Sequence, residues 1–200
     1  MTIRSNVAAI LLAAGKSSRM GEENKLLIKI AGKAVIEWSL EHVLASSVNE
    51  IVVVGGHDFE KLRNCLSDVA VAILQNRDYQ LGMSASLRVG IGALSSGPDG
   101  ALILLADQAN LQPQTINCFL EAFKDSGKKI IAAKYGAVIG NPVLFDRALF
   151  PGLCSLAGDV GARSILMQHP HEVATIEIPP EESLDIDTPA DLEKMRRVLA

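Results

Sequence analysis

The pattern that most limits what this chain can fold into is an alternation of short apolar runs with amphipathic segments. Asn6–Ala13, Glu50–Val54, Val69–Leu74, Ala101–Leu105 and Lys129–Ala133 are rich in β-formers, uncharged in the middle and only a few residues long. Such runs fit strands covered on both faces, since a half-exposed strand would alternate apolar with polar residues. Between them, Val35–Ala45, Phe59–Leu66, Ser84–Leu94 and Pro113–Lys124 read as helices. In the last, Ile116, Leu120 and Phe123 return at helical spacing and give one apolar face. Strand–helix alternation implies a mostly parallel sheet with right-handed crossovers and helices on its faces. The expected fold class is α/β: a Rossmann-like three-layer sandwich with a mostly parallel central sheet, in a single domain over residues 1–200.

The second half is less regular. Gly136, Gly140 and Pro142 interrupt it. A short strand is expected at Val143–Phe145, a helix from about Val160 to Gln168, and strands at Val173–Ile178 and Leu184–Asp187. The last helix has a well-marked start. Thr188 stands at the cap, Pro189 at the first helical position and Asp191 three residues after the cap, with Leu192, Met195 and Leu199 on the inner face.

Arg4 followed by the apolar Val7–Ala14 admits two readings, a short secretory signal or a buried first strand. The strand is expected, because Gly15 onward reads as a loop and not as a cleavage junction. No apolar stretch approaches the roughly 20 residues that span a bilayer. A net charge of −4 argues against a general nucleic-acid binder, which needs a basic surface to displace counterions. Any phosphate site must then be local. Cys65, Cys118 and Cys154 show no CxxC or zinc spacing, so reduced thiols and a cytoplasmic location are expected.

Three segments carry chemistry. The first runs Leu12-Ala13-Ala14-Gly15-Lys16-Ser17-Ser18-Arg19-Met20-Gly21, with Lys25 shortly after. A strand ending in a Gly/Ser-rich turn offers backbone N–H groups to phosphate oxygens, and Arg19 and Lys25 add positive charge. The segment matches neither a Walker A loop nor a GxGxxG turn, and a plain polar loop is the alternative. The second is Leu104-Leu105-Ala106-Asp107-Gln108, at the C-terminal end of an apolar strand, where ligands bind in parallel sheets. A lone carboxylate there suits Mg²⁺ carried by substrate phosphates, or else caps the next helix. The third is Asp185-Ile186-Asp187. Strand periodicity puts its two acids on one face, placed to add a second metal ligand opposite Asp107, or merely to lead into the last helix.

Taken in order, these segments resemble the MobA-like nucleotidyltransferase superfamily. The first resembles its LA(A/G)GxSxRMGxxK signature, the second its (L/G)xDQP signature with Ala109 in place of proline, and the third its DIDTPxDL ending. Gly82-Met83-Ser84-Ala85-Ser86-Leu87 is similar to a segment that borders the family's nucleotide pocket. Gly140-Asn141-Pro142-Val143-Leu144-Phe145 and Gly158-Asp159-Val160-Gly161-Ala162-Arg163 resemble GxPxLF and GDxGAR of one branch, the molybdenum cofactor cytidylyltransferases. Many members of that branch have histidine where Asn141 stands, so an acid–base role carried by that histidine does not transfer.

The resemblance implies a nucleotide-diphospho-sugar transferase-like fold and transfer of CMP from CTP to molybdopterin, with Mg²⁺ as cofactor and diphosphate as leaving group. It implies nucleotide binding by Leu12, Ala13, Ala14, Gly15, Arg19, Lys25, Gly82, Ser84 and Ser86, with Arg19, Lys25 and Asp107 catalytic. Metal ligation falls to Asp107 and Asp187, with Asp187 preferred to Asp185, and acceptor binding to Asn141, Asp159 and Arg163. A molybdenum hydroxylase apoprotein is the implied downstream partner, with no nucleic acid and no membrane. Rival readings are a guanylyltransferase or sugar-phosphate nucleotidyltransferase on the same scaffold, or a non-catalytic cofactor carrier. An NAD-dependent dehydrogenase is disfavoured: GxGxxG is missing, and Val54 runs into Gly55-Gly56 where an acid is expected.

Overall fold

The computed structural model describes residues 6–17, 23–158, 161 and 163–199. In chain order its elements are β1 (Val7–Ala13), a small ribbon of β2 (Lys29–Ile30) and β3 (Lys33–Ala34), α1 (Val35–Leu44), β4 (Glu50–Gly55), α2 (Phe59–Cys65) and β5 (Ala72–Gln75). Then come α3 (Met83–Ala93), β6 (Gly100–Leu105), α4 (Pro113–Asp125), β7 (Ile130–Tyr135) and β8 (Val138–Asp146). The chain continues through α5 (Phe150–Ser155), α6 (Arg163–Gln168), β9 (Val173–Glu177) and α7 (Pro189–Leu199).

The main sheet has seven strands in the order β5-β4-β1-β6-β8-β7-β9. β5, β4, β1 and β6 run parallel, β8 runs antiparallel to both its neighbours, and β7 pairs parallel with β9. The apolar runs explain the layering. Val7, Ala9, Leu11 and Ala13 of β1 enter one core with α1, α2, α4 and α7, while Ile10 and Leu12 enter a second core with α3, α5 and α6. A strand that feeds two cores has no solvent face, so its apolar run is unbroken. Truncating Ile10 or Leu11 to alanine would cost about 2–5 kcal/mol.

The segment Val7–Ala13 is thus a central strand. β5 starts three residues later than expected, because Leu66–Val69 closes a turn through Val69 N–H to the Leu66 carbonyl at 3.1 Å. β8 is longer than the Val143–Phe145 expected. Gly140 and Pro142 mask it in sequence, and the register between β7 and β8 shifts there: Ala132 faces Val143 while Ala133 faces Gly140. Pro142, which has no N–H to give, falls in that gap. α5 was not expected, and α6 is assigned from Arg163, residues 159, 160 and 162 lying outside the described set.

Leu184–Asp187 is not a strand, contrary to expectation. The segment crosses the end of the sheet and makes one backbone bond there, Ile186 N–H to the Asp107 carbonyl at 3.3 Å, instead of a ladder. Its alternation survives in part, for Ile186 is fully buried. The start of α7 forms as read: the Thr188 hydroxyl and N–H both donate to Asp191, and the Asp191 N–H donates back to the Thr188 oxygen. No helix among the described residues is long and apolar enough to cross a membrane.

Candidate active site

Because β1, β4, β5 and β6 are parallel, their C-terminal ends share one edge, and the loops that leave them crowd together. A cavity of about 530 Å³ opens there. Its walls come from Leu12 to Gly15, Ser17, Lys25 and Leu26 after β1, from Tyr79, Gly82, Met83 and Ser86 between β5 and α3, from Leu105 and Asp107 at the end of β6, and from Asp187.

One wall is charged. The Lys25 ammonium donates to Asp107 Oδ2 at 2.6 Å and to Asp187 Oδ1 at 2.9 Å, so carboxylates from distant parts of the chain converge on one point. The backbone beneath Lys25 is pinned. Its N–H donates to the Ser17 hydroxyl at 3.1 Å, and the Asn24 side chain caps the following 3-10 turn by accepting from Leu26 N–H at 3.1 Å. Ser17 holds a left-handed φ of 54°. Burial would lower the Lys25 pKa, but Asp107 first and then Asp187 outweigh it and hold the group above its ordinary value. It stays an ammonium.

The other wall is hydrogen-bonded and uncharged. Asn76, buried beyond the end of β5, donates from its side chain to the Ser86 hydroxyl at 3.0 Å and accepts from Asp78 N–H at 3.0 Å. The Ser86 hydroxyl, which lines the cavity, accepts that bond and retains a proton to donate. Gly82 turns the chain into α3 at φ 97°, a conformation that favours glycine. Gly56 is needed for space: an added Cβ would stand 2.6 Å from Tyr79 Cβ and 2.8 Å from Ala14 Cβ. Lys16 lies over the Tyr79 ring, 5.8 Å from its centroid.

Behind the charged wall lies a polar network. The Gln108 side chain donates to Asp185 at 2.8 Å and sits 3.4 Å from the Tyr135 hydroxyl, which donates to the Asn141 carbonyl. Burial pushes the Tyr135 pKa up to about 12, so the phenol stays a donor. Asp185 is also pushed upward, by desolvation of its carboxyl and then by the Asp107 charge beside it, although the residue as a whole is exposed and solvent weakens the effect. The turn that presents Asp107 closes without the proline of the resembling signature. Ala109 is fully buried there, and Leu111 N–H donates to the Gln108 carbonyl at 3.2 Å.

Of the residues singled out in the sequence, Leu12, Ala13, Ala14, Gly15, Lys25, Gly82, Ser86, Asp107 and Asp187 line the cavity. Ser84 does not. It is fully buried, and its hydroxyl donates to the Gly158 carbonyl at 2.7 Å, tying that loop to the start of α3. Asn141 and Arg163 lie outside the cavity wall, Asn141 half-buried in β8 and Arg163 exposed at the start of α6. Arg19 and Asp159 lie outside the described residues. Tyr79 is absent from the sequence reading, and Ser17, though part of the loop after β1, has no role of its own there. A rule that every loop at the carboxyl end of a parallel strand deserves inspection would have found Tyr79.

Two converging carboxylates are hard oxygen donors that fit Mg²⁺ or a similar divalent ion. Among the described residues no group of three acidic, histidine or cysteine side chains forms a metal cage. The fit is therefore to an ion that keeps water and substrate phosphate as its other ligands.

The family model for the MobA-like NTP transferase domain matches residues 9–173 of this chain. Nicotine blue oxidoreductase of Paenarthrobacter nicotinovorans is 30% identical, over 96% of this chain and 96% of its own. The purine catabolism protein PucB of Bacillus subtilis is likewise 30% identical, over 96% of both chains. Among solved structures, a nucleotidyl transferase from Methanothermobacter superposes with a TM-score of 0.84 at 24% identity, covering 96% of each chain, and so shares the fold.

Proposed function

Since the chain belongs to the MobA-like NTP transferase family, we propose that it transfers CMP from CTP to molybdopterin, with a divalent ion, Mg²⁺, as cofactor and diphosphate as product. The observation that carries this reading is the convergence of Asp107 and Asp187 on Lys25 in the wall of the cavity. The segment-by-segment resemblance to the cytidylyltransferase branch supplies the base and the acceptor. A single domain acting in the cytoplasm, delivering its product to a molybdenum hydroxylase, completes the proposal.

In this mechanism an oxygen of the acceptor's terminal phosphate forms a bond to the α-phosphorus of CTP. The bond from that phosphorus to the β-bridging oxygen breaks, and diphosphate leaves with the electron pair. When bound, the metal ion neutralises phosphate charge. The protein's part is placement and electrostatics, with no side-chain nucleophile. The Gly15 turn cradles phosphate oxygens, Lys25 and Arg19 carry charge toward the departing diphosphate, and Asp107 and Asp187 provide the oxygens that hold the ion. Ser86, set by Asn76 as a donor, favours an acceptor atom such as cytosine O2 or N3. Ala14, whose methyl lies close to Gly56 in the cavity wall, narrows the space for a base. Asn141, Asp159 and Arg163 serve the acceptor.

Incubation with each NTP, Mg²⁺ and molybdopterin, read as diphosphate release, tests the proposal. CTP-dependent release supports it; GTP dependence would favour a guanylyltransferase, and acceptor binding without any NTP dependence a carrier. The name of one relative sets a redox activity beside this reading. A loop without GxGxxG and a β4 that ends in Gly55 argue against a dinucleotide site, and NAD(P)H consumption in the same assay is the check.

A further inference from the structure

The Lys25 ammonium stands between Asp107 and Asp187, where a cation bound by the same two oxygens would stand. It is 2.6 Å from one carboxylate and 2.9 Å from the other. A small divalent ion binding both oxygens at about 2.0–2.1 Å would need that same place. Two cations cannot share it. The Lys25 backbone is fixed by Ser17 and by the Asn24 cap, while its four-carbon stem leaves the ammonium free to swing.

We propose that Lys25 is the resident counter-ion of the Asp107–Asp187 pair and keeps a divalent ion out until a nucleotide arrives. The inference rests on the metal reading made above. In the nucleotide-free protein the ammonium satisfies both carboxylates. A triphosphate offers the ammonium a new anionic partner and brings its own divalent ion, so lysine and metal exchange places in one event. Metal and nucleotide then bind together, and bare metal binds weakly. The protein therefore holds its two acids close, without self-repulsion, before any substrate is present.

The test is Mn²⁺ binding, followed by the loss of the free-ion paramagnetic resonance signal, with no turnover involved. Wild type without nucleotide is expected to bind Mn²⁺ weakly. Lys25→Met and Lys25→Gln, both uncharged, are expected to bind it more tightly by roughly ten-fold or more, the scale of one charge-assisted contact. Lys25→Arg keeps the charge and is expected to exclude Mn²⁺ as wild type does, a pattern that a merely structural role would not produce. Adding Asp107→Asn to Lys25→Met is expected to abolish the gain. Adding a non-hydrolysable α,β-methylene CTP should bring wild type close to Lys25→Met. Equal or weaker Mn²⁺ affinity in both neutral variants, with normal binding in the presence of the analogue, would overturn this inference and leave the metal reading standing. Failure of Mn²⁺ to bind wild type even with the analogue would overturn both.

Discussion

The two walls of the cavity are built on different principles. Around Lys25, formal charges meet at hydrogen-bond distance, from positions 82 and 162 residues away in sequence. Around Ser86 the wall residues are uncharged, and their positions follow from close packing and from one buried amide, Asn76. The first arrangement suits a group whose charge changes during a reaction, since charges already in place need no reorganisation at the moment of reaction. The second suits recognition of a neutral ring, where a misplaced methyl or an unpaired polar atom costs affinity. Changes in the charged wall should then act on rate, and changes in the uncharged wall on nucleotide choice and affinity.

The largest effect is expected from Asp107→Asn. It removes a charge at the convergence point, so turnover should fall by roughly a hundred- to a thousand-fold, the loss typical of removing one preorganised electrostatic group. Wild-type turnover with ordinary metal dependence would end its assignment. Asp187→Asn should follow closely and exceed Asp185→Asn, because Asp187 bonds Lys25 whereas Asp185 bonds Gln108. Next come Arg19→Ala and Lys25→Ala, each expected to slow diphosphate release by roughly ten- to a hundred-fold while acceptor binding holds. Equal losses in rate and in acceptor affinity for Lys25→Ala would erase the division between the walls.

Smaller effects belong to the uncharged wall. Gly56→Ala forces a methyl against Tyr79 and Ala14, an overpacking that costs about 1–3 kcal/mol. It should weaken CTP binding, measured calorimetrically, with Mn²⁺ binding in the presence of diphosphate unchanged. The smallest expected change is Ala14→Gly, which should raise GTP use relative to CTP by roughly ten-fold at most. An unchanged ratio would place base choice with Asn76 and Ser86 instead.

The sequence made the first half of the fold readable for a physical reason. Strands buried on both faces must be apolar throughout, and β1, β4 and β6 lie within a residue or so of the expected runs. The second half hid its structure in local exceptions. β8 contains Gly140 and Pro142 opposite a register shift, and Leu184–Asp187 looks like a strand but is held by loop contacts. The charged wall was legible in pieces, as a basic loop after β1, an acid at the end of β6 and an acid pair before α7, but no periodicity shows that Lys25 meets both Asp107 and Asp187. Tyr79 escaped because nothing in its own segment marks it; only the convergence of loops at the end of the sheet does.

The segment from Glu181 to Asp187 is tied to the stretch after β6 by individual bonds. Asn110 donates to the Glu181 carbonyl, Gln112 N–H to Glu182, Gln108 to Asp185, and Ile186 N–H to the Asp107 carbonyl. Fastenings of this kind can open locally while the sheet stays intact. Ile186 also anchors the segment in the core, so opening it is expected to cost more than fraying yet less than global unfolding, which gives assembly of the acidic pair an equilibrium of its own. The Ile186 amide is its natural clock: its hydrogen should exchange with solvent deuterium well before those of β1, and the interval between the two measures how often a folded molecule is also a complete one.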